Sequence, residues 1–127
     1  MPTHCFTQLD VWKKAHQVTL SVHTITESLP ARERFHLASQ MWRAAVSVPA
    51  NIAEGYGRRR PPDKARFHTI AEGSAGELKY YLILARDLGY LRGFESLWTS
   101  VQDVSRMLRR LVDCTYTLGV GERRSDS

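Results

Sequence analysis

The sequence predicts an all-α fold, an antiparallel up-down-up-down four-helix bundle assembling as a homo-oligomeric ring. Three observations carry that prediction. Glycine and proline interrupt the chain at Leu29-Pro30, at Gly55 to Pro62 and at Gly89 to Gly93, leaving four segments of helical length. Each segment repeats apolar residues at three- and four-residue steps. No stretch alternates apolar and polar residues with period two over a useful length, so no strand is expected. A 127-residue chain suits one domain, and a compact fold of that size buries roughly two-thirds of its extended surface. Residues 1–119 are read as that domain and 120–127, VGERRSDS, as a disordered polar tail.

The first segment opens with Thr7 and Asp10 at capping-box spacing. Leu9, Trp12, Ala15 or His16, Val18 or Thr19, Val22 and Ile25 then mark one helical face that ends near Ser28. The second runs from about Arg32 to Glu54, with Leu37, Met41, Ala45, Val48 and Ile52 in one stripe and Ala38, Trp42 and Pro49 beside it. Pro49 removes an amide donor, so a kink near Ala45 to Pro49 is expected rather than a stop, because the stripe continues to Ile52. Gly55 or Gly57 provides the exit.

The third segment, about Asp63 to Leu88, carries Phe67, Ile70, Ala71, Ser74, Leu78, Leu82 and Ala85. Gly73 and Gly76 each cost a helix roughly 1 kcal/mol, which close approach of a neighbouring helix would offset. The fourth, about Phe94 to Leu118, has a heptad-like seam of Val101, Val104, Leu108, Leu111, Thr115 and Leu118.

Two stretches are apolar around the whole helix. They are Tyr80 to Ala85 and Ala44 to Ala50, and a free-standing bundle cannot bury both completely. Tyr80, Tyr81, Ile83, Leu84, Val46 and Pro49 are therefore read as subunit contacts.

Charge is concentrated. The net +5 is dominated by Arg58, Arg59, Arg60, Lys64 and Arg66, which with Asp63 contribute +4 within nine residues. Guanidinium groups match phosphate oxygens in bidentate geometry, so this cluster is read as a nucleic-acid contact, extended by Arg106, Arg109 and Arg110 of the fourth helix. Only Tyr56 and Phe67 interleave with these cations, which argues against base-specific readout.

Catalytic and metal chemistry find little support. The chain has no P-loop, GxGxxG or HExxH. Glu33 and His36 form one ExxH pair, but a di-iron bundle needs two such pairs and two further glutamates. Glu54, Glu72 and Glu77 read as salt-bridge or intersubunit partners, with Arg43 among the candidate arginines, rather than as an acid and base. Ser47, Asn51 and Ser74 read as groups bonding backbone carbonyls. Cys5 and Cys114 have no metal-ligand spacing and read as reduced thiols. No catalytic residue, metal, cofactor or small-molecule substrate is expected. The chain shows no signal peptide or transmembrane run, so no membrane partner is expected and the location predicted is cytoplasmic.

The segments SQMWRAAVSVPANIAEGYGR (Ser39 to Arg58), FTQLDVWKKAHQVTLSVHTIT (Phe6 to Thr26) and RFHTIAEGSAGELKYYLILARDLGYL (Arg66 to Leu91) together resemble the small bundle proteins encoded within 23S ribosomal RNA intervening sequences. NIAEG followed by a GS..EL element is the most specific part. Members of this family are similar to the accessory proteins of diversity-generating retroelements, pentameric barrels with a basic nucleic-acid-binding surface. The resemblance implies a homopentamer that binds RNA or DNA around Arg58, without carried-over catalytic residues. Pro61-Pro62 before Asp63 departs from the family's serine-like cap and leaves two expectations, a different helix start or a stiffer loop. The alternative reading is a protein-interaction scaffold that recruits another polypeptide through the apolar faces of the second and third helices.

Overall fold

The computed structural model describes the backbone of residues 5–125 and the side chains of residues 5–115. A 3-10 turn, Phe6–Gln8, precedes α1 (Asp10–Ser28), and a second, Ala31–Glu33, precedes α2 (Leu37–Gly57). α3 spans Pro61–Asp87 and α4 spans Phe94–Ser125. Among the described residues there is no strand, and no helix is long and apolar enough to cross a membrane.

All four helices feed one core. Val22, Met41, Ile52, Leu78, Leu82, Val101, Val104 and Leu108 are its largest fully buried side chains. Their three- and four-residue spacing is the periodicity seen in the sequence. Contacts between neighbours step in opposite senses along the two partners. Thr19 meets Ala45 while His23 meets Trp42. Gln40 meets Tyr81, Ser47 meets Ser74, and Gly55 meets His68. Glu72 meets Arg109, Lys79 meets Gln102, and Arg86 meets Phe94.

Helix ends differ from expectation in three places. The Thr7/Asp10 capping box is not formed, because Thr7 lies in the 3-10 turn, where its hydroxyl pairs with Cys5 Sγ at 2.9 Å. Extended Leu9 occupies the cap position of α1 instead. α3 begins at Pro61 rather than Asp63. Prolines suit its first turn, where an amide would have no intrahelical acceptor. α4 passes Gly119 and Gly121 and runs to Ser125, so residues 120–125 are helical where a disordered tail was expected. Glycine lowers helix propensity but enforces no exit. Asp126 and Ser127 lie outside the described residues.

The α3–α4 turn closes as a Schellman motif. Gly89 sits at φ +82°, its amide bonding Arg86 O at 3.0 Å while the Tyr90 amide bonds Ala85 O at 2.9 Å. The Tyr90 hydroxyl then donates to Glu33 at 3.0 Å and accepts from Arg32 at 3.1 Å, tying this turn to the α1–α2 connection. Glu33 is thereby engaged structurally.

Pro49 lies buried inside α2, which continues unbroken through it. Lacking an N–H, it cannot serve the carbonyl of Ala45. Thr19 of α1 supplies the donor, its buried hydroxyl lying 3.0 Å from Ala45 O and 3.0 Å from Ala15 O of its own helix. A hydroxyl has one proton, which these two acceptors share.

Candidate nucleic-acid interface

The connection between α2 and α3 is only Arg58, Arg59 and Arg60, so three exposed guanidinium groups occupy one tight corner. α2 cannot extend into it, because Arg58 takes an extended conformation (φ −79°, ψ 146°). α3 cannot start earlier than its prolines allow.

Phe67, on the second turn of α3, organises two of the cations. The Arg58 guanidinium lies 4.7 Å from its ring centroid and that of Arg66 lies 4.9 Å away. Arg58 is also held at 2.9 Å by Glu54, one helical turn earlier. Lys64 turns back instead of outward. Its ammonium donates to Tyr56 O at 2.9 Å and Gly55 O at 3.4 Å, where the last carbonyls of α2 concentrate negative potential. Among the described residues, Arg59, Arg60 and Arg66 have no acidic side chain within 4.0 Å.

The arginines of α4 are less available than the sequence suggested. Arg109 reaches Glu72 of α3 at 3.1 Å, and Arg106 pairs with Asp103 on its own helix. Lys14 of α1 also bonds Asp103 at 3.0 Å, and these two cations, Lys14 first, hold the Asp103 carboxyl below its ordinary range. Arg110 is exposed and forms no ion pair among the described residues. Glu54 and Glu72 thus serve as salt-bridge partners, with Arg58 and Arg109 taking the place suggested for Arg43.

Beneath the corner lies a contact that the sequence did not signal. Gly55 and His68 touch so closely that a Cβ on Gly55 would fall 2.7 Å from His68 Nε2 and 3.3 Å from Lys64 O. Gly55 therefore permits close helix approach, whereas the helix exit is at Gly57. His68 is 4% exposed, and neither ring nitrogen has a hydrogen-bond partner among the described residues. Burial pushes its imidazole below the ordinary value, and Lys64 adds to the shift. Ser47, Ser74 and Asn51 form a polar cluster between α2 and α3, with Ser47 Oγ 2.7 Å from Ser74 Oγ and Asn51 donating to Ser47 O at 2.8 Å.

The residues read as subunit contacts divide. Pro49 is buried within the protomer, so it is removed from that set. Tyr81, Ile83 and Leu84 pack partly against the core. Tyr80, 58% exposed, and Val46, 36% exposed, remain outside. Leu20, Phe35, Trp42, Ile70 and Leu88 are also exposed, Trp42 and Ile70 although they lie on or beside the apolar stripes, because periodicity alone does not separate a stripe from its shoulder. Among the described residues nothing lies within 4 Å of where a Cβ would stand on Gly73 or Gly76, so none of them supplies the close neighbour expected there.

The fold and its surface define a small all-helical protein with one core and a cationic corner. Among the described residues no group of three or more His, Cys, Asp or Glu is placed to hold a metal ion. The family described as 23S rRNA-intervening sequence protein matches residues 7–110, and the chain belongs to it. A solved structure of a protein of unknown function from the S23 ribosomal protein family of Bacteroides thetaiotaomicron is similar, with a TM-score of 0.75. At 22% identity, covering 80% of this chain and 97% of that one, it speaks for the fold alone. No curated protein matches the chain. Neither the family nor the solved neighbour carries an enzymatic description.

Proposed function

We propose that this is a non-enzymatic, self-assembling up-down-up-down bundle that closes into a homopentameric ring and binds RNA or DNA through the α2–α3 corner. The observation that carries the binding reading is the corner itself. Among the described residues, Arg59, Arg60 and Arg66 stand there without acidic partners, beside Arg58 stacked on Phe67. Phosphate contacts from such a group are individually weak, and repeating them around a ring adds their free energies.

Self-assembly is supported by the outer stripe of α3. Exposed Ile70 and Tyr80 bracket Gly73 and Gly76, a flat track that a neighbouring subunit's side chains would fill. The number five rests on the likeness to the retroelement accessory proteins. Phe35, 83% exposed beside Trp42 at an open groove of about 900 Å³, favours a second reading, a scaffold that docks another protein.

Sedimentation of the purified protein with and without nuclease, combined with a salt titration of RNA binding, tests the proposal. The expected result is a multi-subunit mass that survives nuclease, and a binding slope against log salt that falls by about 0.7 per phosphate contact removed in Arg59→Ala/Arg60→Ala. A lone protomer, or binding indifferent to salt, would overturn it.

A further inference from the structure

α1 and α4 share the thinnest of the four seams between neighbouring helices, and an open furrow of about 690 Å³ runs along it. It extends from Asp10 to Ile25 on α1, about 22 Å at the helical rise per residue. At its far end it meets Leu91, Arg92 and Gly93, where α4 begins. This furrow lies on different helices from the arginine corner.

Its lining is mixed, and the charge it carries is mainly positive. Lys13, Lys14 and Arg92 supply three cations against the single carboxylate of Asp10. Lys13 and Arg92 are exposed and have no acidic side chain within 4.0 Å among the described residues. Lys14 is held by Asp103 at 3.0 Å in a surface pair, of the kind that solvent screens strongly. Between the cations stand the hydroxyls of Ser21, Thr24, Ser96 and Ser100. Buried Val18 and Leu97 form the floor, and half-buried Ile25 and Leu91 leave apolar surface beside the polar groups. No aromatic ring lines it, so nothing there stacks a base.

Lysine, arginine, serine and threonine side chains are the groups that proteins turn towards phosphates and sugars. The amino end of α4 adds its positive dipole to the same end of the furrow as Arg92. We infer that the α1–α4 furrow is a second nucleic-acid contact, holding the phosphodiester backbone of a single strand without reading its sequence. The inference shares its ligand class with the proposed function but uses none of the corner residues.

Fluorescence anisotropy with a labelled oligouridine, measured across a salt series, tests it. The variants are Lys13→Gln/Arg92→Gln, Arg59→Ala/Arg60→Ala and their combination, each checked for wild-type helicity and mass. Loss of two single-strand phosphate contacts should lower the salt slope by about 1.4, additively with the corner variant. An unchanged affinity and slope in Lys13→Gln/Arg92→Gln would overturn the furrow while leaving the corner intact. An effect in that variant alone would support the furrow and remove the corner. If an acidic helical peptide binds in a Lys13- and Arg92-dependent way while oligouridine binding ignores both residues, the furrow serves a protein and the inference fails. Absence of any oligouridine binding by the wild type would overturn both.

Discussion

Replacing Gly55 with alanine probes the contact on which the cationic corner rests. The new methyl would lie 2.7 Å from His68 Nε2, 2.8 Å from His68 Cδ2 and 3.3 Å from the Lys64 carbonyl. Overpacking a close-packed site by one methyl costs about 1–3 kcal/mol. Alanine in place of glycine within a helix returns up to about 1 kcal/mol. The net expectation is a destabilisation of about 1 kcal/mol, reaching about 2 kcal/mol if the buried ring cannot move. His68→Ala removes both of the closest atoms, so in that background Gly55→Ala should become neutral or stabilising. Urea unfolding followed by helical circular dichroism measures the four proteins of this cycle, at one protein concentration because assembly would make the midpoint concentration-dependent. A coupling energy between the two sites of about 1–3 kcal/mol is expected. If Gly55→Ala has the same effect in both backgrounds, the two residues do not oppose each other and the close-approach argument is wrong.

Two further outcomes follow from buried polar groups. Thr19→Val leaves the Ala45 carbonyl without its donor and should cost about 1–3 kcal/mol, a loss that adding Pro49→Ala should reduce by restoring an amide at the position α2 lacks. A double variant as unstable as the sum of the singles would exclude that relationship. For His68 the folded value is depressed below the ordinary 6.5, so the unfolded chain takes up the proton first. Its stabilising contribution is therefore complete above that value and is lost as pH falls from it through the lowered folded value, by at most about 1.4 kcal/mol per pH unit. Acid unfolding of His68→Ala should show a shallower pH dependence than wild type over that window, and identical profiles would remove His68 as a source of it.

The helices were legible because their signal is local. Val18, Val22, Met41, Ile52, Leu82, Val104 and Leu108 fall on the stripes that the spacing marks, and all of them are buried. Contacts made across helices were not legible. Nothing near Pro49 announces that a threonine thirty residues earlier completes its turn, and Gly55 next to Gly57 reads naturally as a stop. Helix ends suffered for a related reason. Thr7 and Asp10 have the spacing of a capping box, but a 3-10 turn competes for the same residues, and spacing cannot choose between them.

The basic cluster shows the same division between residue type and availability. Five cations lie within nine residues, yet their positions are unequal. Arg58 is held by an exposed ion pair with Glu54, an interaction of at most about 1 kcal/mol, so a bidentate phosphate can displace it. Lys64 differs, because withdrawing it would uncover the final carbonyls of α2 and disturb the packing above His68. A ligand at the corner should therefore engage Arg59, Arg60 and Arg66 first, recruit Arg58 by exchange for Glu54, and leave Lys64 in place. Counting all five as phosphate contacts would overstate the salt slope per copy. In the proposed ring, repetition would multiply any error in that count, so the salt slope would discriminate between the two counts more sharply than affinity does.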